Sequence, residues 1–463
     1  MYGSRELSWG FLGLLFAACS SSPSSQAEGQ RGTGVGGNAP GAGATATGGS
    51  TAANAGTRAT GGTWAAGAAA GTAAVGGAAG AGGTTSTKPF ATAVAAGWYH
   101  TCALLSGGTV QCWGYDKWDQ LGNSSTGTCT DAGGAGPIPC SVTPVTIQGI
   151  SNASAVAAGA GDSCALLSGG TIRWWGLDDY RTLNSASWSD WPTPVTVSGI
   201  SNATAVAAGA GHNCALLSGG TVQCWGYNSY GQLGNGTTAD SSTPVAVSGI
   251  SNASVVAGGE EHTCAMLGGG AVRCWGFNGQ GQLGNGTTAN SSTLVAVSGI
   301  TSASAIAVGH YHSCAVLSGG SIQCWGYNGF GQLGSSSTGT CTDVIIPGGT
   351  AACSQTPVTV QGISNASSVA AGFLHTCAVL AGGTVQCWGF NGYGQLGDST
   401  TASSSTPVTV SGISNASAVA AGFLHTCAVL TGGTVQCWGY NAQGELGNGS
   451  TTDSSVPRTV LGF

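Results

Sequence analysis

Beyond Phe90 the chain alternates short apolar runs with glycine-rich breaks. Ala418-Val419-Ala420, Thr426 to Leu430 and Thr434 to Trp438 are three such runs, rich in Val, Thr and aromatic side chains, and Pro407 to Val410 is a fourth in the connection ahead of them. Runs of this length bounded by Gly, Ser and Asn fit strands and are too short for helices. The pattern predicts four β-strands per unit, joined by tight turns.

The unit recurs. Its landmarks, His-Thr-Cys-Ala-Val-Leu, Gly-Gly-Thr-Val-Gln-Cys-Trp-Gly and Asn-Gly-Tyr-Gly-Gln-Leu-Gly, all lie within His375 to Gly397. The first landmark falls at His100, Asp162, His212, His262, His312, His375 and His425, at spacings of 62, 50, 50, 50, 63 and 50 residues. Seven copies of one long period signal a closed or stacked repeat architecture, and four strands per copy is a propeller blade. The expected fold is all-β: a seven-bladed β-propeller of four-stranded blades spanning residues 89–463. Val456 to Val460 matches the run that precedes the later blades, so the C-terminal strand is expected to complete the first blade.

These residues resemble the regulator of chromosome condensation repeat family, whose units carry Ala-Gly-x-x-His, Gly-x-Val-x-x-Trp-Gly and Asn-x-x-Gly-Gln-Leu-Gly. The resemblance implies the same seven-bladed propeller. It also implies a choice of functions: nucleotide exchange on a small GTPase with chromatin binding, inhibition of a secreted enzyme, or scaffolding.

Ahead of the repeats, Arg5 is followed by an apolar stretch from Leu7 to Ala18, too short to span a bilayer as a helix. It reads as a signal peptide, residues 1–18. Leu15-Phe16-Ala17-Ala18-Cys19 resembles the lipobox of bacterial lipoproteins, making Cys19 the expected lipidation site, with Phe16 where Leu is usual. Ser20 after the cysteine points to the outer membrane of the cell envelope; ordinary secretion is the alternative. Residues 19–88 are mostly Ala, Gly, Ser and Thr, the composition of a disordered, flexible tether with a reach of about 45 Å. The membrane is then met through the lipid anchor only.

The eighteen cysteines account for themselves. Cys102 and Cys112 flank a Ser106-Gly107-Gly108 turn symmetrically, which sets them opposite one another in an antiparallel hairpin, within disulfide reach. The same separation pairs Cys214 with Cys224, Cys264 with Cys274, Cys314 with Cys324, Cys377 with Cys387, and Cys427 with Cys437. Cys129 with Cys140, and Cys341 with Cys353, fall inside the longer connections of blades 1 and 5. Cys164 is left unpaired because Trp174 stands at its partner position. This inventory fits an oxidising compartment. It leaves no metal site, since no Cys-x-x-Cys occurs and the His-x-Cys units are spread one per blade.

Positions filled in blade after blade read as framework. Six of the seven histidines share one slot, suited to a buried hydrogen bond between strands or blades, and the Trp of each Trp-Gly suits interblade packing. The departures carry the functional candidates. Each blade has a variable pair in the turn after its inner Ala-Gly run, and the seven turns form a ring: Trp98-Tyr99, Ala160-Gly161, Ala210-Gly211, Glu260-Glu261, His310-Tyr311, Phe373-Leu374 and Phe423-Leu424. Alternate connections emerge on one end of a blade, so the long disulfide-bearing loops share that face. Aromatic anchors with a few charges suit recognition of an extracytoplasmic protein or polysaccharide; the other reading is that these side chains merely plug the channel. Blade 2 is the second departure, with Asp178, Asp179, Tyr180, Arg181 and Trp188 where the Asn-x-x-Gly-Gln-Leu-Gly connection belongs. That blade is a degenerate unit, a lateral contact patch, or the cleft of a glycan-directed lyase or hydrolase.

Charge and composition narrow the choice. From Phe90 onward fourteen acids stand against five bases, which repels phosphates and argues against a nucleic-acid partner and against chromatin. No nucleophile elbow, zinc-protease helix, phosphate loop or calcium loop occurs, so no cofactor is implied and no catalytic residue is nominated. The reading is a tethered, monomeric, non-enzymatic binding propeller, with the blade 2 enzyme or a purely structural envelope protein as rivals.

Overall fold

The computed structural model describes residues 74–75, 88–123, 127–130, 136–178, 190–336 and 339–463. It contains seven antiparallel sheets, the four main strands of each following chain order from an inner strand outward. Blade 1 runs Ala91–Ala96, His100–Leu105, Val110–Tyr115 and Pro137–Thr146, and blade 7 runs Ala416–Ala421, His425–Leu430, Val435–Gly439 and Ser454–Thr459. The two longer repeats add a short strand at the outer edge: Gly127–Thr130 in blade 1 and Gly339–Thr342 in blade 5. Ala74–Val75 pairs with the free edge of the first inner strand, Ala74 opposite Val94. The signal peptide, Cys19 and nearly all of the tether lie outside the described residues.

One expectation is corrected. The C-terminal strand does not complete blade 1; Ser454–Thr459 is the outer strand of blade 7, paired with Val435–Gly439. The fourth strand of every blade likewise follows the third instead of coming from the connection ahead. A repeat has no intrinsic phase, so the same apolar run fits either neighbour until its hydrogen bonds are known. Here every blade is a continuous piece of chain.

The ring is closed by side chains that cross between blades. His100 Nε2 lies 2.9 Å from Ser163 Oγ of blade 2, and the same link runs from His212 to Thr263, His262 to Ser313, His312 to Thr376, His375 to Thr426 and His425 to Thr101. Each hydroxyl also donates to a backbone carbonyl of the blade before it, as Thr426 does to Gln395 and Thr101 to Glu445. With its own proton committed, the hydroxyl accepts, so the histidine carries its proton on Nε2. Burial drives these imidazoles toward the neutral form: His100, His262, His312, His375 and His425 fall to about 3 and His212 to about 4. The histidine slot is thus framework.

The tryptophans seal the same seams. Trp113, Trp175, Trp225, Trp275, Trp325, Trp388 and Trp438 are fully buried, each transferring on the order of 4–6 kcal/mol worth of apolar surface from water. Trp113 Nε1 donates to the Glu445 carbonyl of blade 7 at 2.8 Å, so the first and last blades meet as most other neighbours do. Close approach explains the invariant glycine of the inner turn. A Cβ on Gly97 would stand 2.5 Å from the Gly159 carbonyl, and one on Gly422 would stand 2.5 Å from the Gly97 carbonyl.

All eight expected disulfides are present. The six hairpin pairs sit directly opposite, with Cα atoms 4.0–4.1 Å apart. Among the described residues Cys164 is the free thiol, and it is buried.

Candidate functional site

The turn after each inner strand and the connection after each third strand emerge at the same end of the propeller, because the strands of each sheet alternate in direction. That end carries the inner ring. Backbone N–H groups of Trp98, Ala210, His310, Phe373 and Phe423 donate to glycine carbonyls of the next blade at 3.2–3.3 Å, which draws the seven turns together at the axis. Their side chains then have nowhere to go but into the channel mouth. Phe373 and Phe423 stack with centroids 4.2 Å apart, Trp98 stacks on His310 at 5.3 Å, and Phe423 touches Trp98 at the same distance. Trp98, Tyr99, His310, Phe373 and Phe423 are all buried, so they form a plug.

The plug is lopsided. Blades 2 and 3 contribute only Ala160-Gly161 and Ala210-Gly211, leaving a void of about 10 Å³ lined by Trp98, His310, Glu260 and the small residues, room for about one water molecule. His310 Nδ1 lies 3.3 Å from Glu260 Oε2, inside ion-pair range but off the line of a hydrogen bond. Glu260, Glu261 and Tyr311 are the members of the ring that stay partly exposed, together with Ala210-Gly211. Burial, with Glu260 and Glu261 beside it, holds the Tyr311 phenol well above its ordinary value.

A second aromatic belt surrounds the plug. Tyr230 packs edge-on against Phe277 at 5.0 Å, Phe330 against Phe390 at 5.1 Å, Tyr393 against Tyr440 at 5.1 Å and Trp118 against Tyr115 at 4.9 Å. Trp118, Tyr227, Tyr230, Phe277, Phe330 and Tyr393 remain half-buried, with part of each ring open to solvent. Both disulfide-braced loops join this layer. Tyr327 donates to Asp343 at 3.1 Å, and Ile345, Ala351 and Ile138 pack into the same cluster as the plug. The convergence on one face expected from strand alternation is therefore the observed arrangement, and it rests on a solid aromatic floor.

Blade 2 compensates for its departures internally. Asp162 fills the histidine slot and accepts from Trp174 Nε1 at 2.8 Å and from Asn213 Nδ2 of blade 3 at 3.1 Å. Asn213 stands where the other blades carry a Ser or Thr, so donor and acceptor have exchanged roles across this one seam. The Trp174 ring occupies the space of the missing disulfide, opposite Cys164, and the thiol donates to Asn213 Oδ1 at 3.4 Å. Burial raises the Asp162 carboxyl to about 6, the two hydrogen bonds notwithstanding. Asp178 is buried, 3.4 Å from Trp191 Nε1. Asp179, Tyr180, Arg181 and Trp188 lie outside the described residues. Among those described, no group of three His, Cys, Asp or Glu is placed to hold a metal ion.

Sequence comparison decides the family. Two profiles described as regulator of chromosome condensation (RCC1) repeats match the chain, one over 219–266, 269–316, 320–379 and 382–429, the other over 91–117, 203–232, 253–282, 303–332, 366–395 and 416–445. The chain belongs to the RCC1 repeat family. No curated protein sequence matches it significantly. Solved structures share the RCC1 fold: human WBSCR16 at a TM-score of 0.66 and 21% identity, covering 77% of this chain and 94% of that one. Yeast RCC1 (Prp20), solved with Kap60 bound, gives 0.61 and 23%, covering 72% and 78%. Prp20p from Saccharomyces cerevisiae, reported with its binding properties to Gsp1p and histones, gives 0.58 and 23%, covering 72% and 80%. The internal stretch that neither RCC1 profile matches, 118–202, contains blade 2.

The outer belt was not singled out from the sequence. Its signal was there, as the Tyr or Phe after most Trp-Gly pairs and the aromatic two residues after Asn228, Asn328 and Asn391. Because these positions recur with the RCC1 repeat, they read as framework; only the structure separates recurring residues that are sealed in seams from recurring residues that line a face.

Proposed function

We propose that this protein is an envelope-tethered, non-enzymatic binding propeller that recognises a macromolecular ligand, protein or polysaccharide, through the end carrying the aromatic belt. The observation that carries the reading is the convergence there of half-buried aromatics, Glu260 and Glu261, and both disulfide-braced loops. Rings held on both sides lose little freedom on binding, so contacts with them cost less ordering than contacts with free side chains. Trp98, Phe373 and Phe423 act from below, as the floor that fixes the belt. Two further points support the reading: six of the seven histidines and sixteen of the cysteines are committed to framework bonds, and the similar Prp20p is itself reported as a protein that binds partners. Cys19, as a lipid anchor, would hold the propeller at the envelope, with the tether setting its reach.

The test is capture from envelope and extracellular extracts by the full chain beside a variant carrying Trp118→Ala, Tyr230→Ala, Phe330→Ala and Tyr393→Ala. Retention of a ligand by the wild type and its loss in the variant is expected. Equal retention by the two, or none, rejects the face. The plug residues are unsuitable for this purpose because truncating them empties a packed core.

A further inference from the structure

Charge in this molecule is sorted by topology. All twelve acidic residues described beyond Phe90 stand in the inner turns, in the connections after the third strands, or at the strand ends adjoining them, and so at the aromatic end. Lys117 is the one described base among them. Arg173 and Arg273 sit at the start of third strands, toward the opposite end, and Lys88 enters there too, while Arg458 lies midway, opposite Cys437, with its Nε donating to Ser454 Oγ at 2.9 Å. The turns and connections of that opposite end, such as Ser106-Gly107-Gly108 and Gln148-Gly149-Ile150-Ser151-Asn152, carry no acid. Composition alone does not require this separation, since a chain with so few charges has ample neutral surface at both ends.

The acids and the open rings also meet locally. Glu261 O accepts from Phe277 N at 2.8 Å, which holds the acidic pair against the belt where Tyr230 packs on Phe277. Tyr311 is near enough to both carboxylates for their charge to help raise its phenol, and it hydrogen-bonds Glu260. A carboxylate pair flanked by ring faces attracts a cationic side chain twice, by Coulomb attraction and by the negative face of the ring.

Resting on the reading of this end as a binding face, we infer that its partner is a protein presenting a Lys- and Arg-rich segment, engaged at Glu260 and Glu261 between Tyr230, Phe277 and Tyr311. Field lines from the whole acidic end steer such a segment inward, and the rings then select it over a diffuse cation cloud.

The test uses the full chain with three probes: a Lys/Arg-rich peptide of about twenty residues, its Glu-rich counterpart and a neutral hexasaccharide, with titration calorimetry at low and high salt. The basic peptide is expected to bind, to weaken with salt, and to weaken roughly tenfold both in Glu260→Gln/Glu261→Gln and in Tyr230→Leu/Phe277→Leu. The second variant keeps apolar bulk and net charge, so its loss separates a defined site from diffuse attraction. Binding of the basic peptide that neither variant alters overturns the inference. Binding of the saccharide, lost in the aromatic variant alone, overturns it while leaving the binding face intact. If no probe binds, the inference fails and the extract capture still decides the face.

Discussion

At the scale of one residue, Glu445 is the instructive case. Five blades place Gln at this position, as at Gln120 and Gln395, and blade 7 places an acid, fully buried beside the seam with blade 1. Its Oε2 accepts from Gln443 N at 3.0 Å, while Oε1 has no hydrogen-bond partner. Burial pushes the carboxyl well above its ordinary value, with Asp453 adding to the effect. A carboxyl raised in the folded state takes up a proton on folding, so its stability contribution is present at low pH and is lost as pH climbs above the unfolded value. Glu445→Gln should therefore raise the melting temperature more at pH 8 than at pH 5, the difference growing by about 1.4 kcal/mol per pH unit until the folded group ionises. Equal gains at both values would show the buried acid to be energetically idle. Nothing in the sequence marks Glu445 as buried; Gln and Glu look equally at home in a glycine-rich loop until the neighbouring blade closes over it.

At the scale of the blade, the exchange at the seam between blades 2 and 3 makes a coupling prediction. Asp162→His alone sets an imidazole against Asn213, and Asn213→Thr alone leaves the buried Asp162 carboxylate short of a donor. Each single change should destabilise, and the double change should recover much of the loss by rebuilding the link the other blades use. A cycle of urea melts should give an interaction energy of about 1 kcal/mol or more; strict additivity would mean the two residues are independent. Much of this element was legible in the sequence, since the Cys and His periods located every hairpin and flagged blade 2 as the exception. The repair was not, because Asp162, Trp174 and Asn213 belong to three different strands and nothing in one dimension brings them together. The phase of the outer strand was hidden for a similar reason: only the ladder between Val435–Gly439 and Ser454–Thr459 says which blade owns it.

At the scale of the whole molecule, six buried imidazoles tie the blades together and all six prefer to be neutral. The sign is opposite to that of Glu445. A histidine lowered to about 3 or 4 binds no proton in the folded state across a range where the unfolded chain binds one, so stability is full above about pH 6.5 and falls as pH drops below it. Asp162, at about 6, and the raised Glu445 each oppose this with one proton. Acid unfolding should be steep: six imidazoles less the opposing Asp162 and Glu445 leave about four protons per molecule, or roughly 5.5 kcal/mol per pH unit near pH 5, and chemical denaturation midpoints between pH 7 and pH 4 measure it directly. A shallow profile would mean the ring opens locally to hydrate its histidines before the blades part. The seven-fold count was readable from the repeat, but the fate of Trp98, Phe373 and Phe423 was not, since the width of the channel mouth is a property of the closed ring. That closure has a consequence for ancestry. Because every blade is one unbroken piece of chain and the seam between the last and the first uses the same His–hydroxyl link as five of the other six, no blade is shared between the two termini. An in-frame duplication of a single unit in the gene then delivers a complete new blade wherever it lands, and the matching strings at Gly372 to Leu380 and Gly422 to Leu430 are what a copying event of that kind leaves behind.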